Sequence, residues 1–112
     1  MTVALCLNCG RMKFGALCEC FHCGSKPTGY DRLDIAFTDW LCSEEELEYF
    51  GEIVREIGRH CDDYGLKSIA FALYISDHHP DNLTIGSVDP EIELAARRML
   101  SFCTFQPREV SQ

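Results

Sequence analysis

The sequence predicts an α+β protein: an N-terminal four-cysteine metal module over residues 1–29, then a small acidic α/β domain over residues 30–112. Three observations predict it. Five of the eight cysteines (Cys6, Cys9, Cys18, Cys20 and Cys23) fall in one short stretch, and Cys42, Cys61 and Cys103 are scattered. The charge divides the same way. Arg11, Lys13 and Lys26 against Glu19 leave residues 1–30 at +2, and the remainder carries -10 of the net -8. After Ser25-Lys-Pro-Thr-Gly29, where Pro and Gly mark a join, strand and helix periodicities alternate, as α/β patterns do.

The head contains Cys6-Leu-Asn-Cys9-Gly10 and Cys20-Phe-His-Cys23-Gly24, two C-x-x-C-G units. Two thiolates three residues apart point at one ion if the chain turns tightly between them. Glycine after the second cysteine permits a positive φ that turns backbone N–H groups toward sulfur. Two such knuckles complete a tetrahedral four-thiolate site, a donor set that suits zinc. The ten residues between the knuckles match a short hairpin, with Arg11–Phe14 and Ala16-Leu17 as its strands and Gly15 near the turn.

These residues resemble a short zinc ribbon, whose pattern is C-x-x-C-G, about ten residues, then C-x-x-C-G. The likeness covers residues 4–25. It implies that Cys6, Cys9, Cys20 and Cys23 ligate one structural zinc ion. Leu7 and Phe21 stand where ribbons often carry proline. Cys18 is a fifth thiol, either an alternative ligand in place of Cys20 or a small packing residue. Zinc ribbons are frequent in transcription and translation factors and also serve as protein-contact modules.

In the body, Leu33, Ile35 and Phe37 alternate with polar residues and predict a half-buried strand over 31–38. Ser43-Glu-Glu-Glu46 is a capping box that opens a helix over 44–64. Leu47, Phe50, Ile53, Val54, Ile57, Cys61 and Tyr64 form its apolar stripe, and Gly65 its C-terminal cap. Ser68–Ile75 is apolar on both faces and predicts a central strand, parallel to the first. Leu83–Ile85 predicts a short strand. Asp89-Pro90-Glu91 opens a last helix, with Ile92, Ala95, Ala96, Met99, Leu100 and Cys103 on its apolar side. Cys42, Cys61 and Cys103 are expected as buried thiols.

The main polar cluster is Asp77-His78-His79-Pro80-Asp81-Asn82, at the carboxyl end of the expected central strand. With parallel strands, Asp39, Trp40, Asp77, His78 and His79 would share one sheet edge, where ligands bind in α/β folds. Asp39, Asp77, His78 and His79 are therefore a candidate second metal or acid–base site. Asp77-His78-His79 also resembles one motif of the DHH phosphoesterases, over three residues only. The competing reading is a turn built from ordinary loop residues.

The leading functional expectation is a non-enzymatic protein-interaction or regulatory module stabilised by zinc, with a protein partner or self-association. Nucleic acid is expected only through the ribbon, because an acidic body opposes phosphate contact. A metal-dependent hydrolase or ligand-binding domain using the Asp77–His79 loop is the second class, and a thiol redox protein the third. No apolar run is long enough to span a membrane. The start carries no basic n-region before an apolar stretch, so a cytoplasmic location with reduced thiols is the expectation.

Overall fold

The computed structural model describes residues 3–27 and 31–105; Thr28 and Gly29 of the expected join lie outside the described residues. Among the described residues the architecture is mixed α+β, with two antiparallel strands and four helices. β1 (Val3–Leu5) pairs with β2 (Met12–Phe14), in the register Val3↔Phe14 and Leu5↔Met12, so the hairpin closes over the first knuckle. Ala16-Leu17, expected as a strand, lies in the turn that follows β2.

The body has no parallel strand pair among its described residues; its two longer expected strands are helices. Asp31–Ala36 forms α1. Alternation of Leu33, Ile35 and Phe37 suggested a strand, but Leu33, Ala36 and Phe37 also stand at helical spacing, and these three are buried while Ile35 is exposed. The chain straightens only beyond the helix. There Leu5 N–H donates to the Phe37 carbonyl at 2.9 Å and Asp39 N–H to the Val3 carbonyl at 2.9 Å, so residues 37–39 line the free side of β1.

α2 (Glu44–Gly58) opens with the expected reciprocal capping box between Ser43 and Glu46. It buries Leu47, Phe50, Ile53, Val54 and Ile57. It stops at Gly58, short of the expected 64. Asp63 starts a new helix, its carboxylate accepting from Leu66 N–H at 3.0 Å. Gly65, expected as a terminating cap, sits in the first turn of that helix, and Tyr64 begins it.

α3 (Tyr64–His78) contains the run expected as a central strand. A segment apolar on every side fits a buried helix as well as a buried strand. Ala70, Ala72 and Leu73 are strong helix formers, and the run holds only two β-branched residues, Ile69 and Ile75. α3 packs against both α2 and α4 (Pro90–Leu100), which opens with Asp89 as its N-cap and Pro90 in its first turn, as expected. Of its expected apolar stripe, Ala96 and Met99 are buried, whereas Ile92 and Ala95 are exposed. Leu83–Ile85 forms no strand; it is an irregular segment that buries Leu83. Cys42 is buried as expected, while Cys61 and Cys103 are only half-buried.

One apolar core joins these parts. Leu5 and Leu7, from the hairpin and first knuckle, belong to the same buried cluster as Phe37, Phe50, Phe71 and Ile75. Phe37 meets Phe50 and Phe71 edge to face, at centroid separations of 5.3 and 5.0 Å. No helix among the described residues is long and apolar enough to cross a membrane.

Candidate metal centre

The two knuckles are built alike. In the first, Gly10 N–H donates to the Cys6 carbonyl at 3.0 Å, Cys6 N–H donates to the Arg11 carbonyl at 2.9 Å, and Gly10 has φ 78°. In the second, Gly24 N–H donates to the Cys20 carbonyl at 2.8 Å, Cys20 N–H to the Ser25 carbonyl at 3.0 Å, and Gly24 has φ 75°. Both glycines occupy the left-handed region, which a side chain would strain.

The first knuckle, at the end of the β1–β2 hairpin, faces the second. Cys6 Sγ lies 3.7 Å from Cys23 Sγ and Cys9 Sγ lies 3.8 Å from Cys20 Sγ, each pair drawing one sulfur from each knuckle. All four sulfurs lie within 4.8 Å of one another, in a cluster that could hold a metal ion. No disulfide joins any of the eight cysteines. Cys18 is not among the four. It is exposed, and its sulfur lies over Gly15, where an added Cβ would come within 2.7 Å of it.

The two halves differ in their surroundings. Cys6 and Cys20 are buried, Cys9 is half-buried and Cys23 is exposed. The first knuckle is clamped by the helices: Arg55 donates to the Gly10 carbonyl at 2.7 Å and Lys67 Nζ to the Asn8 carbonyl at 3.2 Å. Lys13 Nζ donates to the Cys18 carbonyl at 2.8 Å, between the knuckles. Lys13 and Lys67 are buried, at 3% and 8% exposure. Nothing stands within 4 Å of a Cβ added at Gly24.

The thiols are tuned in opposite directions. Burial pushes Cys9 up to about 12, and the Cys6 thiol beside it adds to the rise against a backbone hydrogen bond at Arg11. At Cys23 lost hydration acts to raise the value, but the Ser25 hydroxyl and backbone and the Asn8 amide outweigh it and bring the thiol down to about 6. The Ser25 Oγ is 3.0 Å from Cys23 Sγ and Asn8 Nδ2 is 3.6 Å away. Burial, reinforced by the neighbouring cysteines and Asp34, raises the Tyr64 phenol well above its ordinary value.

The second expected site had its premise in an edge shared by two parallel strands, but Asp77 and His78 end a helix, α3, and Asp39 lies beyond α1, beside β1. Asp39 is exposed and accepts from Val3 N–H at 3.2 Å, beside β1. Asp77, near the end of α3, pairs with Arg97 at 2.8 Å. His78 is exposed and packs on Tyr74, with ring centroids 4.4 Å apart. His79 turns the other way, its Nε2 3.2 Å from the Tyr49 hydroxyl and its ring edge-on to Phe50. Among the described residues, none of these four joins a group of convergent metal-binding atoms. Glu56, His60 and Cys103 do converge. Sequence reading passed over them, although Glu56 and His60 stand at the i, i+4 spacing that places two side chains on one helix face.

Comparison of the chain with protein-family models, curated proteins and solved structures finds no match.

Proposed function

We propose that Cys6, Cys9, Cys20 and Cys23 hold one structural zinc ion, in a ribbon-like head that serves as a protein-contact module. The observation that carries the metal assignment is the sulfur spacing. Zinc–thiolate bonds of about 2.3 Å place the corners of a tetrahedron about 3.8 Å apart. The two cross-knuckle pairs stand at 3.7 and 3.8 Å. Buried Lys13 and Lys67 support the reading, because a four-thiolate zinc centre is doubly negative and offsets cations held out of water nearby. A closed four-thiolate site leaves no ligand position for substrate, so the ion contributes folding energy rather than chemistry.

The contact role rests on the outer surface of the head. Phe14 and Phe21 stack with centroids 5.4 Å apart and planes 9° from parallel, and the His22 ring follows Phe21 at 4.1 Å. Both phenylalanines are more than half exposed. Exposed aromatic side chains on a rigid frame are the residues that anchor protein interfaces. A protein partner, or a second copy of the chain, fits the net charge of -8 better than nucleic acid does. Binding of single-stranded nucleic acid by the head alone is the second reading, favoured by the same stacked rings together with exposed Arg11 and Lys26.

Two measurements test this. Metal analysis of the purified protein should show zinc bound at the four cysteines, lost on Cys6→Ser plus Cys20→Ser; zinc retained by that variant would overturn the ligand assignment. Sedimentation and partner capture should both weaken on Phe14→Ser plus Phe21→Ser with zinc content unchanged. Salt-sensitive oligonucleotide binding, lost in the same variant, would replace the protein-contact reading by the second one.

A further inference from the structure

We propose that Glu56, His60 and Cys103 form a second, exchangeable transition-metal site at the junction of the C-terminal ends of α2 and α4. Their ligand atoms lie within 4.8 Å of one another, close enough for one ion to be shared by all three. They come from separate parts of the chain. Glu56 lies in the last turn of α2, His60 just beyond it, and Cys103 just beyond α4. Carboxylate, imidazole and thiolate together form a borderline-soft set that suits zinc, cobalt or nickel rather than magnesium or calcium.

The Glu56–His60 distance supports the assignment. Glu56 Oε2 stands 3.4 Å from His60 Nε2, longer than the roughly 2.7–2.9 Å of a charge-assisted hydrogen bond. Oxygen and nitrogen ligands at about 2.0–2.1 Å from a tetrahedral ion stand about 3.4 Å apart. The carboxylate is also held in place. Thr104 N–H donates to Glu56 Oε2 at 2.9 Å, fixing the oxygen that faces His60, as outer contacts do for metal-binding carboxylates. Arg59 bonds the other oxygen, Oε1, at 3.0 Å, whereas the oxygen that faces His60 is Oε2.

The site differs from the four-cysteine centre in kind. Three protein ligands leave a fourth position for water or for a donor from a partner. His60 is exposed and Cys103 half-buried, so an ion reaches them from solvent. The surrounding acidic body concentrates cations at its surface. An ion there would tie the chain leaving α4 to the end of α2, reinforcing the Thr104–Glu56 hydrogen bond.

The test is a cobalt titration of the full chain with its first ion already bound. The expected result is one further equivalent of Co²⁺ with a thiolate-to-cobalt charge-transfer band. Cys103→Ser should abolish the band, and His60→Ala should weaken binding by more than about tenfold. His78→Ala plus His79→Ala should leave it unchanged. Glu56→Gln, which keeps the shape and the Thr104 contact, should also weaken binding and covers the case in which Cys103→Ser fails to fold. No further equivalent at about 100-fold molar excess, or binding unaffected by His60→Ala and Glu56→Gln, would overturn the proposal. Retention of the first ion in all of these variants separates this result from the fate of the four-cysteine reading.

Discussion

Gly10 and Gly51 meet backbone to backbone. A Cβ built on Gly10 would lie 2.6 Å from the Gly51 carbonyl oxygen, and one built on Gly51 would lie 2.5 Å from that of Gly10. This contact seats the first knuckle on α2, where Arg55 then reaches the Gly10 carbonyl. Gly24, the corresponding glycine of the second knuckle, meets nothing within 4 Å of an added Cβ.

Three alanine substitutions should therefore differ in a set order. Gly24→Ala meets open space and carries only left-handed strain, about 1–2 kcal/mol. Gly51→Ala has ordinary helical φ but strikes backbone, an overpacking cost of about 1–3 kcal/mol. Gly10→Ala combines both and should be the least stable. Denaturant unfolding of the metal-loaded proteins checks this; equal effects at Gly10 and Gly24 would show that the knuckle does not depend on its helix seat.

Chelation should reach beyond the head. Leu5 and Leu7 share one core with Phe50 and Phe71, so loss of the knuckle geometry loosens the packing of the helices. The expected outcome is a fall of more than about 10 °C in the thermal midpoint followed by helical circular dichroism, since each 1 kcal/mol shifts a domain of this size by about 4–8 °C. An unchanged midpoint would show that the helices hold together without the ion.

Lys67 should matter to metal retention more than its distance in sequence suggests. It is buried and donates to the Asn8 carbonyl inside the first knuckle. Lys67→Met keeps the packing stem and removes the charge and the donor, a loss of about 1.5–3 kcal/mol if the bond is charge-assisted. Metal should leave the variant faster in competition with a coloured chelator, and an unaltered release curve would assign Lys67 a packing role only.

The break between α2 and α3 can be tested at its cap. Asp63→Ala removes the acceptor for Leu66 N–H and should cost about 1 kcal/mol, as should Ser43→Ala at the start of α2. Were residues 44–64 one continuous helix, Asp63 would cap nothing and its replacement by alanine would raise helicity.

What could be read from sequence was whatever is fixed over a few residues. The knuckles are set by cysteine spacing and glycine. α2 is set by Ser43 and Glu46, and α4 by Asp89 and Pro90. Errors arose where two periods fit the same residues. Leu33 and Phe37 satisfy both a strand and a helix, and Ser68–Ile75 is apolar at every period. Asp63 was an available N-cap signal, hidden because Cys61 and Tyr64 continue the three- and four-residue rhythm of the preceding helix. The seat of the knuckle on α2 joins Gly10 to Gly51, and no local pattern announces a pairing across forty residues. Gly51 in the middle of an otherwise well-formed helix was its one trace.

The unequal burial of the four sulfurs gives the cluster a direction. Cys6 is held from behind by the core, whereas Cys23 faces water, with the Ser25 hydroxyl and the Asn8 amide stabilising its thiolate. An oxidant, an alkylating reagent or a competing chelator meets Cys23 first. Water thus reaches the cluster at Cys23, while Cys6 and Cys20, one in each knuckle, stay shielded behind it.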